Sequence, residues 1–278
     1  MSTPRVALDP RLPPGRAARE AALALLDGAL ARLSRGDAGA VHDARRASKQ
    51  LRALLRLLKP QLGARYAGAN AGVRDAARVL AARREADVLA ETAAALFARD
   101  AQLRPLARLF RVPAGADAAA VLEAQRRLRA QRRRVAGWRL RGLSADQVPD
   151  GLLRTYRQAR RAFRAARRRA GAAALHEWRK QAKYHRNQLA LVAPLWPQGR
   201  ARIRGLDTLS DLLGWHHDLH VLELALARLP ARAASPRQLA RARKRIAAEQ
   251  SRAAAAAFEL GAILFSGRAP DVVEVAKR

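Results

Sequence analysis

Residues 41–60, VHDARRASKQLRALLRLLKP, carry two helical stripes side by side. Val41, Ala44, Ser48, Leu51, Leu55 and Leu58 fall at i, i+3, i+7, i+10, i+14 and i+17, an apolar seam of helical period. One residue later His42, Arg45, Lys49, Arg52, Arg56 and Lys59 repeat the spacing as an almost wholly cationic line. At about 1.5 Å per residue, His42 to Arg56 spans roughly 21 Å. Like charges one turn apart cost a helix some tenths of a kcal/mol per pair. Six in register therefore point to an anionic partner lying along them.

The same pair of stripes returns later in the chain. Sliding residues 175–190 back by 134 lays LHEWRKQAKYHRNQLA on VHDARRASKQLRALLR. His176 falls on His42, Arg179 on Arg45, Lys180 on Arg46, Lys183 on Lys49 and Arg186 on Arg52, above an apolar seam of Leu175, Trp178, Ala182 and Leu189. A shift of 133 places residues 211–229 on 78–96, with His217 on Arg84 and Asp218 on Glu85. A coding bias towards arginine does not put histidine first and cations at the same four offsets twice. A repeat of this length implies two four-helix units related by a pseudo-two-fold.

Order along the chain supports an all-α fold. Residues 1–14 hold four prolines and read as an extended tail. The periodicity predicts helices over 16–34, 41–59, 62–97 with kinks near Gly68 and Gly72, and 116–135. A turn-rich boundary follows at 137–150, then helices over 152–169, 173–193, 200–229 with a kink at Gly214, and 237–258. Pro60, Pro105, Pro113, Pro194 and Pro197 stand at expected breaks. The last twenty residues, 259–278, show no clear helical pattern.

Charge narrows the partner. Lys+Arg number 55 against 23 Asp+Glu, a formal net charge of +32, and only six of the 55 are lysine. An arginine-favouring genome explains Arg over Lys but not the shortage of acids, so a polyanion is implied: nucleic acid, membrane headgroups or a phosphate polymer. No cysteine is present, which excludes disulfides and thiol chemistry. The N-terminus has no apolar core of a signal peptide, and the longest apolar run is too short to span a bilayer, so a cytoplasmic protein without membrane association is expected.

The quoted segments, with TYRQARRAFRAAR (155–167) and DLLGWHHDLHVL (211–222), resemble the CHAD domain (conserved histidine α-helical domain) over about residues 15–258. The resemblance implies two four-helix bundles, about 15–136 and 150–258, meeting around a basic central cavity that binds long-chain inorganic polyphosphate. Carried over by position, the ligand residues are His42, Arg45, Lys49, Arg52, Arg56, His176, Arg179, Lys183 and Arg186, with Arg84 and His217 on the third helix of each half. Arg46 and Lys180 join them through the repeat. Ala190 stands where the first stripe has Arg56, and Arg84 is matched by a histidine, so asymmetry is expected. The chain carries no ExExK motif of the triphosphate-handling domain that some relatives add. Recruitment to polyphosphate granules, storage control and regulation of a partner enzyme are all compatible.

Other chemistries find less support. The stripes lack the aromatic platforms usual in single-stranded nucleic-acid binders, apart from Tyr184. Duplex DNA can be held by its backbone alone, so nucleic acid remains the second reading. His216, His217 and His220 have the spacing of a chelating pair, but their basic surroundings favour phosphate or Asp218 as the partner of His217, with His216 and His220 a surface pair. HEWRK at 176–180 has Lys180 where a zinc protease has its second histidine. No GxSxG, GxxxxGK[ST] or GxGxxG occurs. The expectation is a non-catalytic binder without metal or cofactor.

Overall fold

The structure, a computed structural model, describes residues 6–36, 39–111, 118–140, 142–144, 147–169, 171–195 and 199–267, and at 82 and 83 the backbone alone. Residues 1–5, Pro113, Pro197 and residues 268–278, which entered the expectations above, lie outside the described residues. The described chain is all-helical, with eleven α-helices and no strand. They are α1 (Pro14–Arg35), α2 (Ala40–Leu57), α3 (Lys59–Leu62), α4 (Arg65–Val79), α5 (Ala81–Phe97), α6 (Arg104–Leu109), α7 (Ala118–Ala136), α8 (Gln147–Arg168), α9 (Ala172–Leu191), α10 (Arg200–Ala227) and α11 (Pro236–Phe265). No helix among the described residues is long and apolar enough to cross a membrane.

The α1–α2 turn uses Gly36 at φ 65° and Gly39 at φ 92°, a left-handed backbone that glycine adopts without steric cost. Asp43 in the first turn of α2 suits the positive end of the helix dipole. The apolar seam of α2 buries Ala44, Ser48, Leu51, Leu55 and Leu58, and Val41 is partly buried against the core.

Several boundaries differ from expectation. Pro60 does not end α2; it sits in the first turn of α3, where its missing N–H costs nothing. The 62–97 region divides at Leu80 and not at Gly68 or Gly72. Gly72 lies inside α4, where a Cβ would stand 2.0 Å from the Gln131 amide of α7, so close helix packing is its physical reason. Helix α10 runs through Gly214 without interruption. Segment 137–150 is packed rather than loose: Trp138, Leu140 and Leu143 are buried, and α8 already begins at Gln147. At the end of the chain α11 continues to Phe265, burying Gly261, Leu264 and Phe265. The N-terminal tail is anchored as well, with Leu8 buried and its N–H donating to the Leu191 carbonyl at 2.7 Å.

Two apolar clusters hold the helices. The larger joins α1, α2, α4, α7, α8 and α9 with the first half of α10 and the end of α11. The smaller joins α5 and α6 to the second half of α10 and the first half of α11. Both draw on the first and the second half of the chain. Beneath α9 an aromatic group ties α8 to α11: Trp178 stacks on Phe258 at 5.5 Å and meets Phe163 at 5.1 Å, while Phe265 lies 5.8 Å from Phe163. A buried polar relay crosses the middle. Thr155 donates to Gln188 at 2.7 Å, and the Gln188 amide donates to the Ala53 carbonyl at 3.0 Å, linking α8, α9 and α2.

This packing predicts that the last turns of α11 carry stability. A Cβ at Gly261 would stand 2.5 Å from the Trp178 ring, so Gly261→Ala is expected to cost about 1–3 kcal/mol by overpacking. Gly28→Ala, with open space around it on α1, is expected to stabilise by about 0.4–1 kcal/mol. Thermal and urea unfolding of both variants checks the contrast.

Candidate functional site

Helices α2 and α9 pack side by side. Lys49 lies near Arg179 and Lys183 while Ala53 meets Gln188, so the two helices run parallel. Lys49 and Lys183, at equivalent positions of the two sequence stripes, lie on these facing helices within range of each other's charge. Burial, with Arg45, Arg179 and Arg84 adding like charge, pulls the Lys49 ammonium down to about 8. Burial together with Arg179 and Lys49 does the same to Lys183, also to about 8. Lys49 still has an exposed surface and Lys183 a partial one. Neighbouring atoms crowd both side chains, yet both still reach solvent. Among the described residues neither lysine has a hydrogen-bond or ion-pair partner.

An arginine flanks each lysine one turn earlier. Arg45 donates to the Ala77 carbonyl at 2.6 Å, in the last turn of α4 where carbonyls lack helical partners. Arg179 lies against α10 at Gly214, where a Cβ would stand 3.3 Å from its Nη2. The Arg179 Nε is buried and donates to no acceptor among the described residues. Burial lowers both guanidinium pKa values, opposed by Glu85 for Arg45 and by Asp218 and Asp211 for Arg179. Asp218 therefore holds for Arg179 the place that Glu85 holds for Arg45. Burial raises the Asp218 carboxyl against the pull of Arg179, Lys183, Arg84 and Lys49, which places all four cations around it.

The histidines gather at the N-terminal end. The rings of His176 and His217 are 4.5 Å apart. Burial pushes His217 down to about 4, helped by His176, Arg179, His220 and His216. Burial also lowers His176, helped by Arg179 and Lys180, and His42, helped by Arg84. Charging these three therefore needs more acid than their ordinary value suggests. His220 pairs with Glu223 at 3.6 Å, and His216 is lowered by burial and by His220. Among the described residues no three His, Asp or Glu side chains converge as a metal site would require.

The other end breaks the symmetry. On α2, Arg52 donates to the Asn70 side chain at 3.0 Å, and Arg56 stacks over the Tyr184 ring at 3.9 Å. On α9, Arg186 is buried and held by Asp207 through contacts of 2.8 and 2.5 Å, and position 190 is alanine. Arg186 is thereby neutralised within the fold, which the stripe did not reveal. Arg84 is partly engaged, donating to both oxygens of Glu91 at 2.9 and 3.2 Å. Arg46 and Lys180 turn away from the central lysines. Arg46 lines, with Arg32, Asp43 and Gln50, a small cavity of about 40 Å³ between α1 and α2, and Lys180 pairs with Glu177. Tyr184 and Asp218 were visible in sequence as neighbours of the stripes. Asp207 gave no signal, because its partner lies 21 residues away on another helix.

A family model described as the CHAD domain matches residues 17–227. The match takes in both cationic stripes and ends with the last residue of α10; α11 lies beyond it. Comparison with curated proteins gives no match.

The two lysines carry a stability consequence. Their folded value of about 8 lies below the ordinary 10.5, so between these values the unfolded chain holds more protons and stability rises with pH. Below pH 8 the penalty is fully present. Discounted for solvent screening, it is about 1 kcal/mol. The double variant Lys49→Met/Lys183→Met is therefore expected to melt about 2–4 °C higher at pH 7. The gain should shrink as pH rises towards 10, as differential scanning calorimetry can follow.

Proposed function

The chain belongs to the CHAD domain family, and from that membership and the geometry of its paired helices we propose that it binds long-chain inorganic polyphosphate without catalysing a reaction on it. The meeting of Lys49 and Lys183, unpaired and both depressed to about 8, is the observation that carries the reading. Two half-buried ammonium groups set among arginines are unfavourable until an anion enters, and such perturbed groups cluster at functional sites. A phosphate chain supplies one negative charge after another and matches a row of Lys and Arg donors. The orphaned Arg179 Nε offers a further donor.

The proposal includes two four-helix bundles related by a pseudo-two-fold, with the basic depression where they meet. Its support is the pattern of packing. The contacts α1 with α2, α2 with α4, α4 with α7 and α1 with α7 have counterparts in α8 with α9, α9 with α10, α10 with α11 and α8 with α11. The contacts of α2 with α9 and of α5 with α10 cross between the halves. His42, His176 and His217 enter as neutral hydrogen-bond donors that gain charge once a polyanion offsets their cationic neighbours.

Nucleic acid is the competing partner, and Tyr184 bears on it. It is the aromatic beside the stripes, and it is buried under Arg56, where no base can stack on it.

Four outcomes are expected. In competition, duplex DNA and single-stranded RNA should fail to displace bound polyphosphate at equal charge concentration; displacement by DNA would make the site a general polyanion surface. Lys49→Met/Lys183→Met should weaken binding by about 1.5–3 kcal/mol or more, well beyond the effect of substituting Arg133 and Arg134. Affinity should rise from pH 7.5 to 5.5 with net proton uptake, measured calorimetrically in two buffers of different ionisation heat. Recruitment to cytoplasmic polyphosphate granules belongs to the same proposal: a fluorescent fusion should form foci only in cells that accumulate the polymer.

A further inference from the structure

Helix α8 presents a line of arginines that the α2–α9 depression does not use. Arg154, Arg157, Arg161, Arg164 and Arg168 fall at i, i+3, i+7, i+10 and i+14, the spacing that runs from His42 to Arg56. At about 1.5 Å per residue the line is roughly 21 Å long. Arg157, Arg161, Arg164 and Arg168 are exposed, on the face opposite the buried Leu152, Tyr156, Ala159 and Phe163.

These four have no ion-pair or hydrogen-bond partner among the described residues. The acid in the first turn of α8 is Asp150, at the far end from Arg168. On α7 and α11 paired and unpaired surface arginines are mixed. Arg126 and Arg127 share Glu123, Arg132 pairs with Asp27, Arg241 and Arg245 share Asp100, and Arg252 pairs with Glu249, while Arg129, Arg133, Arg134, Arg237 and Arg243 have no partner among the described residues. What sets α8 apart is that its four unpaired arginines follow one another at helical spacing along a single exposed face. Each unrelieved repulsion along it costs some tenths of a kcal/mol.

The line begins where the α2 stripe stops. Arg154 donates to the carbonyl of Leu57, the residue that follows Arg56 and closes α2, at 3.4 Å. We propose that a polyphosphate chain long enough to leave the α2–α9 depression past Arg56 continues onto the outer face of α8. That face then acts as a second, length-dependent subsite. The inference rests on the polyphosphate reading above. A phosphate polymer fits better than a single-stranded nucleic acid, because the two aromatics of α8, Tyr156 and Phe163, are buried and offer no stacking surface.

The test replaces the exposed line with glutamine: Arg157→Gln, Arg161→Gln, Arg164→Gln and Arg168→Gln together in the full chain. Glutamine has nearly the helix propensity of arginine and the side chains are solvent-facing, so the fold is retained; circular dichroism and melting confirm it. Binding is measured with a polyphosphate no longer than the α2 stripe and with one several times longer. The variant is expected to lose about tenfold or more with the long chain and less than about twofold with the short one. Unchanged long-chain affinity overturns the subsite, as does an equal loss at both lengths, which would mark diffuse electrostatics. A loss confined to duplex DNA would make the face a nucleic-acid surface instead. Wild-type protein that binds neither length would overturn the function proposed above and this inference with it. Lys49→Met/Lys183→Met, by contrast, should weaken both lengths alike.

Discussion

Two lysines can be held together below their ordinary pKa only by a scaffold that refuses to let them part. In solution a pair of long, flexible ammonium side chains would separate at little cost. Here Lys49 and Lys183 project from parallel helices whose buried seams meet. Leu51, Leu54 and Leu55 on α2, and Ala182 and Leu189 on α9, belong to one apolar cluster. Small residues at Ala53 and Ala182 let the backbones approach, and the Gln188 amide fixes the register by bonding the Ala53 carbonyl. Moving the lysines apart would mean opening that seam and leaving buried polar groups without partners, at roughly 1–3 kcal/mol each. The charge repulsion is the smaller quantity, so the packing wins and the strain stays at the surface.

The carboxylates around the lysines are placed to moderate this field without cancelling it. Asp218 and Glu85 act on the neighbouring arginines, and neither makes a hydrogen bond or ion pair with Lys49 or Lys183. A carboxylate bonded directly to the lysines would hold the place that a phosphate oxygen is proposed to take, as Asp207 does at Arg186. A charged group locked in an internal pair must be freed before it can serve a ligand, and a buried pair is costly to break. The fold thus divides its cations into those held by acids, such as Arg186, Arg132 and Arg252, and those left without a partner among the described residues, such as Lys49, Lys183 and the exposed arginines of α8.

Much of this was legible in the sequence, and the reasons are physical. A helix buries one face, so α2 and α9 declared themselves through 3.6-residue periodicity and through their repetition. The fold class followed from helical periodicity and the breaks between the periodic segments. Glycine misled at positions 68, 72 and 214, because inside a helix it can serve close approach as readily as a bend; Gly214 makes room for Arg179 and Gly72 for Gln131. The end of α11 was missed because its residues look featureless until Trp178 and Phe163 supply the surface they pack on. Which stripe residues remain available was not legible at all. Arg186 and Arg52 occupy equivalent positions, and only the three-dimensional arrival of Asp207 beside one and Asn70 beside the other separates them.

That separation gives the depression a direction. Near its middle the halves match closely, with lysine facing lysine and an arginine backed by an acid on each side. Towards the C-terminal ends of α2 and α9 the match fails. One side keeps Arg56 stacked on the Tyr184 ring with its Nε unpaired, and Arg52 beside the same ring with its Nε donating to Asn70. The other side neutralises Arg186 and ends in alanine. A symmetric polymer laid across a symmetric site could leave by either helix. On the polyphosphate reading proposed above, with charge removed from one exit, the favourable path runs along α2, towards Arg154 and the outer face of α8. Tyr184 has Gln50 as its counterpart in the first stripe, so this arrangement belongs to one half of the sequence alone. On that proposal, divergence between the two stripes gives a duplicated surface one preferred exit.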